Sequence, residues 1–178
     1  MTFSVLPQTS GNSQIAVYFK KSAGEWRSER RYYTLPHGDT KEMISHIQVR
    51  YLEEGSPELL HLAQLHQLSA DTVLHCGAEV SWHSEESVSG KKQSRGSTLF
   101  GALGDILYRD RGFATPKPVT ANFYFPNPDT LCLRTEYQSS SFEEEVKLIG
   151  QRYRTRQTII TREGEQQMIG QYLETRIA

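Results

Sequence analysis

The chain's 178 residues predict an all-β fold, an antiparallel barrel or sandwich in one domain over residues 1–178. Two observations carry this expectation. Apolar residues alternate with period two through most of the chain, and turn-forming residues interrupt that alternation at intervals of roughly 8–12 positions. No β-α-β alternation calls for a parallel sheet, and no run approaches the roughly 20 apolar residues that a spanning helix needs.

Residues 1–10 read as a loose tail, and the opening MTFSVLPQTSGNSQ lacks both the basic and the apolar region of a secretory signal, which points to the cytoplasm. From residue 13 to 23, Ile15, Phe19 and Ala23 recur at helical spacing with Ala16 beside them, predicting a short amphipathic helix. The period then changes to two. Residues 26–35 (WRSERRYYTL) and 43–52 read as strands around the turn Pro36-His37-Gly38-Asp39. Ser56 as N-cap and Pro57 at the first position open a second helix over 58–68. Beyond residue 70, strands are expected over 73–84, 93–100, 105–109, 120–125, 130–137, 142–150, 153–161 and 166–176. Their separators are Gly90, Gly104, Asn127-Pro128-Asp129, Ser139-Ser140-Ser141 and Glu163-Gly164. The total is about ten strands and one or two short helices.

One detail favours a closed up-and-down barrel of the lipocalin type. A short helix leads into Gly24-Glu25-Trp26 before the first strand, and Arg176 ends the last. In lipocalin-like barrels a G-x-W and a final-strand Arg resemble this pair: the indole plugs the closed end and the guanidinium packs on its face. Trp26 and Arg176 are therefore read as structural.

Charge and cysteine usage exclude several classes. A formal net charge of −1 gives no global field for nucleic acid. Cys76 and Cys132 make neither a disulfide scaffold nor a zinc site alone, and the six histidines contain no H-E-x-x-H, so no metal is expected. Arg outnumbers Lys 13 to 7, and Arg is the residue for fixed, bidentate contacts to carboxylate.

The candidate chemistry lies on two strands. In Phe142-Glu143-Glu144-Glu145-Val146-Lys147-Leu148, the apolar set shares a face with Glu144, so Glu144 points inward if that set does. On the following strand Arg154, Arg156, Thr158 and Ile160 share one face and Tyr153, Thr155, Gln157 and Ile159 the other. With one Ile on each, the pattern leaves open which face is interior. Two Arg two residues apart on a strand stand about 7 Å from each other, a spacing suited to a ligand carrying carboxylates. Trp82 shares a face with Val80, Ala78 and Cys76 and is either a core aromatic or a flat surface for a conjugated ligand. Tyr108-Arg109-Asp110-Arg111-Gly112-Phe113 packs three charges into a bend, either a local salt-bridge network or the rim of a barrel mouth. Cys132, between Leu131 and Leu133, reads as packed.

Six blocks carry a family resemblance: GEWRSERRYY (24–33), STLFG (97–101), YRDRGFATPKPVTANF (108–123), DTLCLRTEY (129–137), FEEEVKLIG (142–150) and YRTRQTIITREGEQQMIGQYLETRI (153–177). Together they resemble the S-type phycobiliprotein bilin lyases, the CpcS/CpeS family, over nearly the whole chain from about residue 15. The resemblance implies a lipocalin-like ten-stranded barrel that attaches a linear tetrapyrrole, phycocyanobilin or phycoerythrobilin, to one cysteine of a phycobiliprotein subunit. Arg154 and Arg156 would then hold propionates, Trp82 would stack along the bilin, and Thr158 would supply a hydrogen bond. Glu144 would sit near the pyrrole nitrogens or assist proton transfer, making Glu144 and Arg154 the expected catalytic pair. The acceptor supplies the thiol, so neither Cys76 nor Cys132 is expected to be catalytic, and the bilin is a substrate with no permanently bound cofactor. The implied partners are an apo-phycobiliprotein subunit (phycocyanin β or allophycocyanin) and a second copy of this chain or a related lyase subunit, with no nucleic acid and no membrane. The rim at Arg109 to Arg111 is the expected docking surface. A non-catalytic carrier of bilin or another hydrophobic acid, or an accessory subunit of a heterodimeric lyase, is the alternative.

Overall fold

The computed structural model describes residues 11–86 and 94–178; the expected tail, the Gly90 turn and the first residue of the strand expected from Gln93 lie outside them. Helix α1 (Gly11–Ser22) is followed by β1 (Gly24–Thr34), β2 (Asp39–Glu53), α2 (Pro57–Leu65), β3 (Cys76–Glu86), β4 (Ser94–Leu103) and β5 (Ile106–Arg109). The chain continues through β6 (Val119–Asn127), β7 (Thr130–Tyr137), β8 (Ser140–Ile149), β9 (Tyr153–Arg162) and β10 (Glu165–Arg176). Each strand pairs antiparallel with its neighbour in sequence, and β10 returns to β1 to close the barrel. Among the described residues, closure leaves no unpaired sheet edge.

The two helices bury different faces. On α1, Ile15, Tyr18, Phe19 and Ser22 fall at i, i+3, i+4 and i+7, and all four are buried where the helix plugs one end of the barrel. The helix stops at Ser22, one residue short of the expected end, because the chain turns there into β1 through Gly24 at φ +129°. Helix α2 lies outside the wall, where Leu59 and Leu62 pack with Leu52 and Leu74 into a second apolar cluster. Its close approach needs a wall without side chains. A Cβ at Gly77 would come within 2.0 Å of the Phe100 carbonyl oxygen and 2.7 Å of Leu59 Cδ2.

Several boundaries differ from the sequence expectation for identifiable reasons. β3 begins at Cys76 rather than residue 73, because Leu74 is drawn into the α2 cluster. α2 ends at Leu65, and Gln67 at φ +53° reverses the chain. Ser56 stands at its N-cap in extended conformation, but its hydroxyl makes no capping bond.

Candidate functional site

The end covered by α1 is closed by the Trp26–Arg176 arrangement. Trp26 is fully buried, donates from its indole N–H to the Ser22 carbonyl at 2.9 Å, and pairs in register with Arg176. The Arg176 guanidinium lies 4.2 Å from the Trp26 ring centroid and donates to the carbonyls of Gln151 at 2.7 Å and Lys21 at 2.6 Å. These bonds fasten the end of β10 to the end of α1 and to the turn between β8 and β9.

Above this floor the wall encloses a cavity of about 340 Å³ that runs from Tyr18 and Phe19 of α1 to Ser94 and Phe113 at the opposite end. Its walls include Ile47, Val49, Val80, Leu107, Leu133 and Val146. The same lining carries five arginines, Arg30, Arg109, Arg111, Arg154 and Arg156, so apolar wall and cationic groups share one concave pocket.

Register settles the face that the alternation on β9 leaves open. The three residues 150–152, with Gly150 at φ +59°, set Leu148 opposite Arg154, Val146 opposite Arg156 and Glu144 opposite Thr158. Leu148 and Val146 are interior, so Arg154, Arg156 and Thr158 are interior with them, as is Glu144. Here the two arginines differ. Arg154, 6% exposed in its side chain, donates through Nε to Glu174 at 2.7 Å and lies 4.7 Å over Trp26. Arg156, 22% exposed, donates to Glu144 at 2.6 Å. Burial opposes the Arg156 charge, but Glu144 and Glu174 outweigh it and hold the guanidinium protonated. Thr158 is buried with its hydroxyl against that of Tyr172. Tyr18 donates to the Val146 carbonyl at 2.8 Å, and burial pushes its phenol pKa up, keeping it neutral.

Trp82 is half-buried toward the open end, with the Arg111 guanidinium 5.3 Å from its ring. The segment 109–111 is not a uniform rim. Arg109 turns into the barrel and is buried, Asp110 accepts from the Thr98 hydroxyl at 2.8 Å and the Leu99 amide at 3.0 Å, and only Arg111 is exposed. Cys132 also departs from expectation. Leu131 and Leu133 face inward, so Cys132 lies on the outer face, half-buried beside exposed Tyr124. Cys76 is buried near α1, and burial pushes its thiol up to about 11.

Two charged residues are not singled out from the sequence, Arg30 in the cavity lining and Glu174 beneath it, and Arg109, expected there as rim, turns inward. Each had a signal in the period-two rule. Glu174 stands two positions before Arg176, Arg30 four after Trp26, and Arg109 two after Leu107. Among the described residues no group of three or more His, Cys, Asp or Glu could hold a metal ion, and no helix is long and apolar enough to cross a membrane.

Residues 14–177 match the family described as CpeS-like protein. A Nostoc sp. (strain PCC 7120) protein provisionally named phycocyanobilin lyase CpcS 2 is 63% identical over 99% of this chain and 98% of its own length. A Picosynechococcus sp. protein provisionally named chromophore lyase CpcV is 45% identical over 93% of this chain and 82% of its own. The solved structure of the S-type phycobiliprotein lyase CPES from Guillardia theta superposes with a TM-score of 0.77, at 20% identity, over 97% of this chain and 99% of that one, so the lipocalin-like barrel is a shared fold. With its whole barrel inside the matched region, this chain belongs to the CpeS-like family.

Proposed function

We propose that this chain is a bilin lyase, which binds a linear tetrapyrrole of the phycocyanobilin type and promotes its thioether attachment to one cysteine of a phycobiliprotein subunit. The observation that carries the reading is the cavity, which combines an apolar wall, a flat indole and more guanidinium than carboxylate. An extended, conjugated dicarboxylate is the chemical complement of that combination. The names of the relatives at 63% and 45% identity support the same substrate class.

In this reading Arg156, the more exposed of the two paired arginines, takes one propionate, while Arg154, paired with Glu174, holds the floor beneath it. Trp82 stacks along the conjugated plane. Glu144 lies by the pyrrole nitrogens and handles the proton, and Thr158 with Tyr172 supplies hydroxyl contacts. The reaction is an addition. The acceptor's sulfur bonds to the ethylidene carbon, the C=C π pair is consumed, and a proton reaches the neighbouring ring carbon, so nothing leaves and no oxidant is required. The lyase supplies conformation and orientation rather than a nucleophile. The bilin is substrate, not resident cofactor; the acceptor, a phycocyanin β or allophycocyanin subunit in the cytoplasm, meets it at the open end.

The test combines purified protein, phycocyanobilin and an apo-phycocyanin β subunit with cysteine-to-alanine acceptor controls, read by absorbance, fluorescence and zinc-stained denaturing gels. A red-fluorescent covalent adduct at one cysteine, formed only with this protein present, is the expected result. A spectral shift on binding with no gain in adduct overturns the lyase reading in favour of a carrier or one half of a pair.

A further inference from the structure

We propose that Arg109 is a second anion anchor of the cavity, receiving a carboxylate of the ligand on the open-end side. The inference rests on the tetrapyrrole reading of this cavity and names the group that meets one of the two propionates.

Strand β5 is only four residues long, and Leu107 and Arg109 are its inward pair. The Arg109 guanidinium is held between two rings, 4.8 Å from the Phe100 centroid and 4.7 Å from that of Phe113. The residue is 8% exposed, and its Nε has no hydrogen-bond partner. Among the described residues no carboxylate forms an ion pair with it. The acids that could do so are committed elsewhere: Glu144 to Arg156 at 2.6 Å, and Asp110 to the Thr98 hydroxyl and the Leu99 amide.

A buried charge without a counter-ion is costly, and stacking between two aromatic faces offsets only part of that cost. Arg154, in contrast, has its carboxylate within the fold. Stacking through its faces leaves the guanidinium's N–H edge uncovered by the rings, and the unpartnered Nε lies on that edge, the side a bidentate carboxylate would take. The surrounding loop is fixed before any ligand arrives. The Gly112 amide donates to the Thr115 carbonyl at 2.9 Å, the Ala114 amide donates to the Tyr137 hydroxyl at 2.8 Å, and Phe113 stacks on Phe142 at 4.8 Å. The donor is thus preorganised, and the missing partner is an anion.

The test measures binding of phycocyanobilin and of its dimethyl ester to the wild-type chain and to Arg109→Met, with Arg134→Gln, an exposed arginine of the outer face, as the control that leaves both affinities unchanged. Expected is a loss of about tenfold or more for the free acid in Arg109→Met, equal affinity of both proteins for the ester, and an apo melting temperature at or above wild type. Equal losses for acid and ester, no loss for either, or a melting temperature well below wild type overturns the anchor. A wild-type chain that binds neither tetrapyrrole brings down the functional reading instead. The anchor is then decided by dodecanoate against dodecanol: Arg109-dependent preference for the acid upholds it, and no preference overturns it.

Discussion

Arg154 and Glu174 face each other across β9 and β10 in register, joined at 2.7 Å, with side chains 6% and 0% exposed. The pair lies directly on Trp26, which takes the Arg154 guanidinium on its ring at 4.7 Å and that of Arg176 at 4.2 Å. The floor of the cavity is therefore an indole in contact with two cations, one neutralised by a buried acid and the other bonded to carbonyls. Such a pair adds little net stability over an apolar replacement, but removing one member leaves the other uncompensated.

Glu174→Ala is expected to destabilise the fold by about 3–5 kcal/mol, since it strands the Arg154 charge. The double variant Arg154→Met/Glu174→Leu should recover most of that loss. Urea unfolding of the three proteins checks both, and a Glu174→Ala value within 1 kcal/mol of wild type would refute the coupling.

Glu174 also sets an acid limb. Burial raises its carboxyl, but the charges of Arg154 and Arg156 outweigh burial and hold it below the ordinary value of 4.5. A carboxyl depressed in the folded state contributes stability that is complete above its unfolded pKa and is lost as pH falls toward the folded one. Stability should therefore drop below about pH 4.5, and Glu174→Gln should show a shallower drop over that window. Parallel slopes in pH-dependent urea midpoints would contradict this.

How far the sequence reached depended on range. The ten strands were legible because separators such as Asn127-Pro128-Asp129 and Glu163-Gly164 recur at strand length, and the closed end because G-x-W and Arg176 stand at its two joining strands. The β9 face was not, since Ile159 and Ile160 give each face one apolar residue and only the register with Leu148 breaks the tie. Arg109 is expected at the rim from sequence, and its inward turn, two positions after Leu107 on a four-residue strand, is the part missed. The division of labour between Arg154 and Arg156 depends on a carboxylate 20 residues away, a relation that spacing on one strand does not contain.

Gly96 provides a handle on Trp82. A Cβ there would fall 2.4 Å from Cζ2 and 2.9 Å from Cε2 of the indole, while the backbone itself tolerates alanine. Gly96→Ala should swing the ring off its seat, change tryptophan fluorescence and weaken bilin binding about tenfold, with stability within about 1 kcal/mol of wild type. Unchanged fluorescence and affinity would show that the indole position is irrelevant to the ligand.

The thiols should be dispensable. Cys76 is 1% exposed with its pKa pushed up to about 11, and Cys132 lies on the outer face. At pH 7 to 8 neither presents thiolate to the cavity. A Cys76→Ala/Cys132→Ala protein is expected to transfer bilin at a rate within about twofold of wild type. Loss of transfer with bilin still bound would instead implicate a covalent intermediate.

The two interior arginines should separate in binding and in folding. Arg156 keeps 22% of its side chain exposed and donates through Nη2 to Glu144, while its Nε is without a partner, so a donor remains for a ligand. A charge-assisted hydrogen bond contributes about 1.5–3 kcal/mol, which corresponds to roughly 10–100-fold in affinity. Arg156→Gln should lose about that much bilin affinity, and because its amide can still donate to the buried Glu144 its melting temperature should fall less than that of Arg154→Ala. Arg154→Ala should lose binding as well, but through the floor: with Glu174 left buried and unpaired, its melting temperature falls sharply first. Titration of phycocyanobilin absorbance alongside thermal unfolding distinguishes the two. If both variants bind as wild type does, the β9 arginines belong to the barrel's structure and not to its ligand.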